Sequence, residues 1–441
     1  MPDPDRMVVG DPTKDFFIYM LTRDIGLSRS ILDLIDNSID GAQRERGNGG
    51  LEGYHVTLHV DTDRFSIADN CGGITLEIAR KYAFRFGRPR DFQATKHSIG
   101  QFGVGMKRAL FKLGSAFRIE STTTVSRFVL SENVEEWLNR PEWGFEFDEL
   151  DEPEDGFPEE QRGTRIEVTQ LHDSVAEAFS LENFRNELRL ELKEAHQNAI
   201  ENGLSLSLNG IPLNFDPIDL LESDQLKAVS KEENFKFPDD QWVKVRIFAG
   251  ITRSDPQAAG WYIFCNGRLV LGADQSQKTG WGAGGETEVP KFHNRSARFR
   301  GYVFFDADDA GLLPWNTTKT GVDADSKIYR AVRLQMISVM RPIIDFLNKL
   351  GREVEADEAE KPLSEALESA SPKPLSQLTD SPSFQAPKPA VVVSKGQKTG
   401  VISYRKNLEE IKTVRRALGV WTQKEVGERT FDYYFKLECG D

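Results

Sequence analysis

Cysteine is scarce: Cys71, Cys265 and Cys439 are the only three in 441 residues, far apart and without metal-ligand spacing. That rules out a disulfide framework and a cysteine-built zinc site, and it fits a reduced, cytoplasmic compartment. Long apolar runs are missing as well. No stretch of about 18 apolar residues is present, so no membrane-spanning helix is expected. The first residues, MPDPDRMVVGDPTKD, are acidic and contain no apolar core of a secretory signal. Positive charge is in deficit: 56 Lys and Arg against 70 Asp and Glu give a net charge of −14, which weighs against a chain dominated by nucleic-acid contacts. One local exception is KFHNRSARFR, where Lys291, Arg295, Arg298 and Arg300 alternate with Phe292 and Phe299. It is expected as a solvated loop entering a strand, with a basic rim for DNA or RNA phosphates as the alternative. The six histidines form no triad or metal constellation, and His55 and His59 fall in a strand pattern, YHVTLHV.

The hydrophobic patterning that is there divides the chain. Residues 1–175 mix helical and strand periods and hold every strong motif. Residues 182–203 are expected to form one charged helix ending at Gly203. LSLSLNGIPL is a strand, an Asn209-Gly210 turn and a second strand. WVKVRIFAGI, GWYIFCNGRLVL and FRGYVFFDA are further strands, and IYRAVRLQMISVMRPIIDFLNKL is an amphipathic helix expected to bend near Pro342. Residues 351–400 are rich in Glu, Ser, Pro, Ala and Lys and are expected as a flexible linker. Residues 401–441 regain helical and aromatic patterning but are too few for a large core, so their aromatics are expected to dock on a partner or on the chain itself.

Three motifs carry chemistry. In SRSILDLIDNSIDGAQ (residues 28–43), helical spacing puts Leu32, Ile35, Ile39 and Ala42 on one face and Asp33, Asp36, Asn37 and Asp40 on the other. Three acids, with an Asn and no Lys or Arg among them, repel one another, and a hard cation such as Mg²⁺ would relieve them. In FSIADNCGGIT (65–75), a strand ends at Asp69 and a turn at Gly72 and Gly73 lets backbone approach a flat ligand. In HSIGQFGVGMKRALFKLG (97–114), Gly100, Gly103, Val104 and Gly105 lead into a helix with Lys107 near its start, an arrangement that offers N–H groups and a helix dipole to phosphates.

With these motifs in this order, the sequence resembles the GHKL ATPases: gyrase B subunits, MutL, the heat-shock ninety chaperones, MORC proteins and histidine kinases. DLIDNSIDGA resembles the first box, DNCGGI the second and GQFGVGMK the third, and RGTRIEVTQL resembles the strand that closes the pocket. The MORC-like and chaperone-like branches are closest through GQFGVG. The likeness covers about residues 15–175 and extends more loosely to 350. It implies an α+β chain: a GHKL (Bergerat) ATP-binding α/β sandwich over 1–180, a transducer-like α/β domain over 181–350, the linker over 351–400 and the small C-terminal module over 401–441. It also implies ATP and Mg²⁺ as ligands. Asn37 would hold Mg²⁺, and Asp69 would accept from the adenine amine, with Gly73 against the base and Thr164 supporting it. Gly100, Gly103, Val104 and Gly105 would cradle phosphates beside Lys107. Residues 76–99, with Arg85, Arg88, Arg90 and Lys96, would form a lid. Asp33 would be the general base, and Lys319 in LLPWNTTKTGVD would reach the γ-phosphate.

Two residues depart from the family pattern. Asp33 stands where the base is usually Glu, which implies slow hydrolysis, and Cys71 stands where the second box has its first glycine. A histidine kinase is disfavoured because no phosphoacceptor-histidine helix precedes residue 28. The expected function is an ATP-controlled conformational or dimerisation switch acting on a protein partner or DNA, in bacterial defence or DNA maintenance. Its alternatives are a nucleotide-sensing adaptor and a chaperone-like ATPase.

Overall fold

The computed structural model describes residues 12–47, 49–87, 96–100, 103–283, 289–355, 361–388 and 402–439. Two compact units divide the chain, Met1–Ala390 and Val391–Asp441. None of the described helices is long and apolar enough to cross a membrane.

The first unit opens with helices α1 (Lys14–Arg23) and α2 (Leu27–Arg46). An eight-stranded sheet follows, built from β1 (His55–Val60), β2 (Arg64–Asp69), β3 (Gly114–Thr122), β4 (Arg127–Asn133), β5 (Glu149–Asp151), β6 (Gly163–Leu171), β7 (Ser205–Leu208) and β8 (Ile211–Pro212). Its order is β5-β4-β3-β6-β2-β1-β7-β8, antiparallel except for the parallel pair β1–β7. β1 alternates as its sequence requires: Val56, Leu58 and Val60 are buried, and His55 and His59 are on the open face. The helices inserted between these strands are α3 (Leu76–Ile78), α4 (Gly105–Leu113), α5 (Val134–Asn139), α6 (Asp173–Ser180), α7 (Glu182–Ala195) and α8 (Gln197–Glu201). Helices α2 and α4 pack on each other, and their apolar sides share one core with the sheet. Lys14 fastens α1 to this layer: its buried ammonium donates to the carbonyls of Trp137 (2.6 Å), Arg140 (2.5 Å) and Glu142 (2.7 Å) and lies over the Trp137 ring.

The second sheet has the order β10-β11-β14-β12-β13, from β10 (Val229–Lys236), β11 (Trp242–Ile251), β12 (Gly260–Cys265), β13 (Arg268–Asp274) and β14 (Phe299–Ala307). β14 is buried along nearly its whole length and lies under α9 (Lys327–Glu355), which runs through Pro342 as one helix. A short strand, β9 (Asp219–Glu222), precedes this sheet.

Three expectations are corrected. Residues 182–203 do not form one helix. The chain breaks between α7 and α8 at His196 (φ −111°, ψ 15°), whose ring turns back to the Leu192 carbonyl, 3.1 Å from Nδ1. The first sheet also continues past residue 180, because β7 pairs with β1. Residues 361–388, expected within a flexible linker, are ordered. Glu353 caps α10 (Pro362–Glu368) by accepting from the N–H of Leu363 and Ser364. Leu363 and Ala366 are buried, β15 (Ser371–Pro374) pairs with β9, and Phe384 meets Phe346 edge-on at 5.5 Å. A few well-placed apolar residues on an existing surface offset the ordering entropy that composition alone made prohibitive.

The second unit holds α11 (Leu408–Leu418) and α12 (Gln423–Tyr434). Val426 is its one buried hydrophobic residue among those described, while Trp421, Tyr433 and Phe435 are exposed.

Candidate functional site

A cavity of about 540 Å³ opens between α2, the end of β2, the turn after it, the start of α4 and the loop before α9. Every site residue singled out from the sequence lines it: Asp33, Asn37, Asp69, Gly73, Gly100, Gly103, Val104, Gly105, Lys107, Thr164 and Lys319.

Asp69 forms one end. It closes β2, and its Oδ1 accepts the N–H groups of Cys71 (2.9 Å) and Thr164 (3.1 Å), while Oδ2 accepts the Ser38 hydroxyl (2.6 Å). Burial pushes this carboxyl above the usual carboxylate range, against the pull of those three bonds. Gly73 sits at φ +74°, and a Cβ there would fall 2.2 Å from the Thr122 carbonyl oxygen, so only glycine lets this turn lie flat against the sheet. Arg44 braces the turn by donating to the Gly73 carbonyl at 2.9 Å. The Thr164 and Ser121 hydroxyls are 3.0 Å apart beside it.

At Cys71 the turn packs on α2. Gly41 of α2 lies against this residue, and a Cβ on Gly41 would come within 2.6 Å of the Cys71 carbonyl oxygen. The helix therefore lies tight against the backbone of the turn, while the Cys71 thiol is buried and pushed up by that burial. Gly41→Ala is expected to force α2 off the turn, lowering stability by about 1–3 kcal/mol and weakening nucleotide binding with it. Thermal unfolding and a nucleotide titration on the same variant check both effects.

The other end carries charge. Gly103 takes φ +65°, and Gly105 begins α4 where a Cβ would lie 3.3 Å from the Asp33 carboxyl group, so the helix N-terminus and the carboxylate share one wall. Asp40 holds the approach to this loop: its two oxygens accept the N–H groups of Ile99 (2.6 Å) and Gly100 (2.8 Å). Burial pushes its pKa up to about 6 in spite of those bonds. Lys107 is buried, and its ammonium donates to the carbonyls of Ala83 (2.7 Å) and Gly103. It ties backbone on both sides of the cavity, where the sequence had suggested a charge turned toward phosphates.

Asp33 and Asp36 of α2 are matched by the protein's own cations Arg108, Lys319 and Arg268, and Asp36 is also hydrogen-bonded to His196. Arg108 Nη2 meets Asp33 Oδ2 in a short ion pair. Lys319 Nζ lies 2.7 Å from Asp36 Oδ2 and 3.3 Å from Asp33 Oδ1. Arg268 Nε and His196 Nε2 each stand 3.0 Å from Asp36 Oδ1. Burial alone would raise Asp36, but Lys319, Arg268 and His196 outweigh it and hold the carboxyl far below its ordinary value. Lys319 is buried too, and the two carboxylates overcome the desolvation that would lower it. The repulsion that suggested a cation on this face is thus answered at Asp33 and Asp36 by Arg108, Lys319 and Arg268, while His196, whose pKa burial lowers, serves Asp36 as a hydrogen-bond partner. Arg108, Arg268, His196 and Ser38 were not legible as site residues. The one available signal was Arg108 beside Lys107 in the otherwise apolar start of α4.

Of the expected lid cations, Arg88 and Arg90 lie outside the described residues. Arg85 is exposed, and Lys96 pairs with Asp308 at 2.8 Å. Phe86 of this segment packs among Phe17, Phe111, Trp137 and Trp143. The basic stretch at 291–300 is thinner than its sequence: Arg300 is buried and donates to the carbonyls of Ala297, Phe299 and Asp255.

The cavity fits a nucleotide. Its volume is that of a small-molecule pocket. Asp69 supplies a carboxylate acceptor at the flat end, and glycines, a helix N-terminus and Lys319 stand at the other. For Mg²⁺, Asn37 is exposed to the cavity, and no group of three or more His, Cys, Asp or Glu that could hold a metal occurs among the described residues. Asn37 together with phosphate oxygens is the donor set this cation accepts.

No curated protein matches the chain. Residues 25–164 match the family model described as histidine kinase-, DNA gyrase B- and HSP90-like ATPase, which gives this segment the character of a GHKL-type ATPase domain and supports ATP binding by the chain.

Proposed function

We propose that the chain is a Mg²⁺-dependent ATP-binding protein that hydrolyses ATP slowly and uses the cycle as a conformational or dimerisation switch on a partner or on DNA. One observation carries this reading. Lys319 stands 286 positions after Asp33, in the loop between the second sheet and α9, yet its ammonium reaches the floor of the cavity built by the first sheet. A ligand moves an equilibrium only through different affinity for its two states, and a γ-phosphate competing for Lys319 would supply that difference. Lys319→Ala is expected to lower hydrolysis by at least about tenfold and to abolish nucleotide-linked association. Unchanged turnover and association in the variant would remove the switch.

Association itself is read by light scattering of the full chain with and without a non-hydrolysable ATP analogue. The mass is expected to double with the analogue, and a constant mass counts against a dimer clamp. The MORC-like or chaperone-like branch is favoured by GQFGVG. A cytoplasmic role in defence or DNA maintenance follows from family likeness. The exposed aromatics Trp421, Tyr433 and Phe435 support a protein partner for residues 401–441.

A second reading, a nucleotide-sensing adaptor with little turnover, is favoured by Asp33 itself. Both of its oxygens are engaged by cations, Arg108 and Lys319, and this opposes proton abstraction.

A further inference from the structure

Asp36 belongs to the same helix as the candidate base but has no place in the reading above, although it is the most completely buried acid of the first motif. Its position is unusual because of what converges on it. Lys319 comes from the loop before α9, Arg268 from the start of β13 in the second sheet, and His196 from the break between α7 and α8. Three segments distant in sequence thus send a nitrogen to one carboxylate on α2. At the helical break the His196 ring lies inward, with its other nitrogen 3.1 Å from the Leu192 carbonyl.

The distances order the contacts of Lys319. Its ammonium is 2.7 Å from Asp36 and 3.3 Å from Asp33, so Asp36 is the closer anchor. The backbone agrees: Lys319 takes φ +52°, a conformation unfavourable for a residue with a long side chain, held by the bond from its N–H to the Asn316 carbonyl. A lysine left to itself would carry its charge to solvent. Here it is drawn into the protein and stops at the cavity wall.

We infer that Asp36, oriented by Arg268 and His196, is a positioning residue that sets where the Lys319 ammonium stands, and thereby makes the site discriminate a nucleoside triphosphate from a diphosphate. A carboxylate whose Oδ1 is held by the His196 hydrogen bond and the nearby Arg268 charge turns its Oδ2 to Lys319 and places that cation at one depth in the cavity. A phosphate chain must then extend to that depth to gain from it, so only the terminal phosphate of a triphosphate benefits. The same cluster ties the second sheet and the α7–α8 break to the helix bearing Asp33 and Asn37, so a shift of Lys319 toward a phosphate would be felt at β13. The inference rests on Lys319 as the γ-phosphate contact, and the experiment separates the two claims.

ATP and ADP affinities are measured on the full chain for the original sequence, Asp36→Asn, Lys319→Met and the double variant, with hydrolysis and thermal unfolding on each. Lys319→Met is expected to lower the ATP-to-ADP affinity ratio by about tenfold, the scale of one charge-assisted contact. Asp36→Asn is expected to lower the ratio by a similar factor with ADP affinity held within about twofold. The double variant should fall no further than Lys319→Met alone, because the two residues act as one unit. A Lys319→Met protein with an unchanged ratio overturns the γ-phosphate contact itself. A lowered ratio in Lys319→Met with no change in Asp36→Asn, or with additive losses in the double variant, overturns the role of Asp36 alone. Equal losses of ATP and ADP affinity in Asp36→Asn would mark it as merely structural. Should that variant fail to fold, His196→Gln loosens the same carboxylate by one contact. A smaller fall in the ratio with ADP binding intact is expected, and an unchanged ratio overturns the inference.

Discussion

Asp69→Asn is expected to lower affinity for ATP and for ADP by about 100-fold, measured by isothermal titration, while leaving thermal stability nearly unchanged. The two halves of this result have separate causes. Asp69 Oδ1 already accepts two backbone N–H groups, from Cys71 and Thr164, so the amide oxygen of the variant must take that place. The amide nitrogen then replaces Oδ2, opposite the Ser38 hydroxyl. A hydroxyl serves as donor or acceptor and rotates to suit, so the protein's own network survives. An incoming adenine amine has no such freedom. It would meet a donor where it needs an acceptor, and a buried donor facing a donor costs about 3 kcal/mol beyond the lost bond's share, which is a factor on the order of 100. ATP and ADP must lose equally, because the base is common to both. A variant that binds either nucleotide within about fivefold of the original chain would remove Asp69 from the base pocket. One that loses both binding and fold would mean the residue serves the Cys71–Thr164 turn alone.

How far the site was legible in the sequence follows from the range of the interactions involved. Asp69, Gly73 and the Gly100–Gly105 segment announce themselves locally: a strand end, a positive-φ turn and a glycine-led helix start are properties of a few consecutive residues. β11 and β14 were equally legible, because an alternating run and a mostly apolar run have few alternatives, and their limits, Trp242–Ile251 and Phe299–Ala307, coincide with the patterned segments WVKVRIFAGI and FRGYVFFDA. The charge cluster was not legible. Asp36 looks like a solvated acid until Lys319, Arg268 and His196 arrive from 283, 232 and 160 positions away, and no local pattern encodes that meeting. His196 failed for the same reason in reverse. Helical propensity runs smoothly through LKEAHQNAI, and the break is set by the tertiary contacts of the His196 ring. Residues 361–388 were misjudged because composition averages over a window, whereas Leu363, Ala366 and Phe384 need only a few square faces of an existing surface to settle on. Lys107, expected to add a positive charge near the phosphates, lines the cavity, and its ammonium donates to the carbonyls of Ala83 and Gly103, partners that no local pattern in the sequence announces.

Asp33→Asn is expected to bind ATP within about threefold of the original affinity and to release phosphate at least about 100-fold more slowly in a single-turnover assay. The geometry explains why the two effects separate. Asp33 is buried and lines the cavity with Gly105, where a Cβ would lie 3.3 Å from its carboxyl group, so it lies beside the phosphate end of the cavity. Arg108 holds Oδ2 and Lys319 stands 3.3 Å from Oδ1, yet a carboxylate offers about four acceptor sites, and Asp33 lines the cavity. An amide at this position cannot take a proton from an attacking water. It also removes one negative charge next to two cations, which leaves more positive potential toward phosphates and holds or strengthens nucleotide binding. Folding bears a cost: leaving Arg108 without its ion-pair partner in a buried place is worth about 3–5 kcal/mol, while Lys319 keeps Asp36 at 2.7 Å. The assay is therefore run with excess ATP over a variant shown to be folded by its unfolding transition in saturating ADP, since ligand binding restores stability by mass action. Equal phosphate release by the variant would take the base away from Asp33 and leave the adaptor reading as the better account of a carboxylate pinned between two cations.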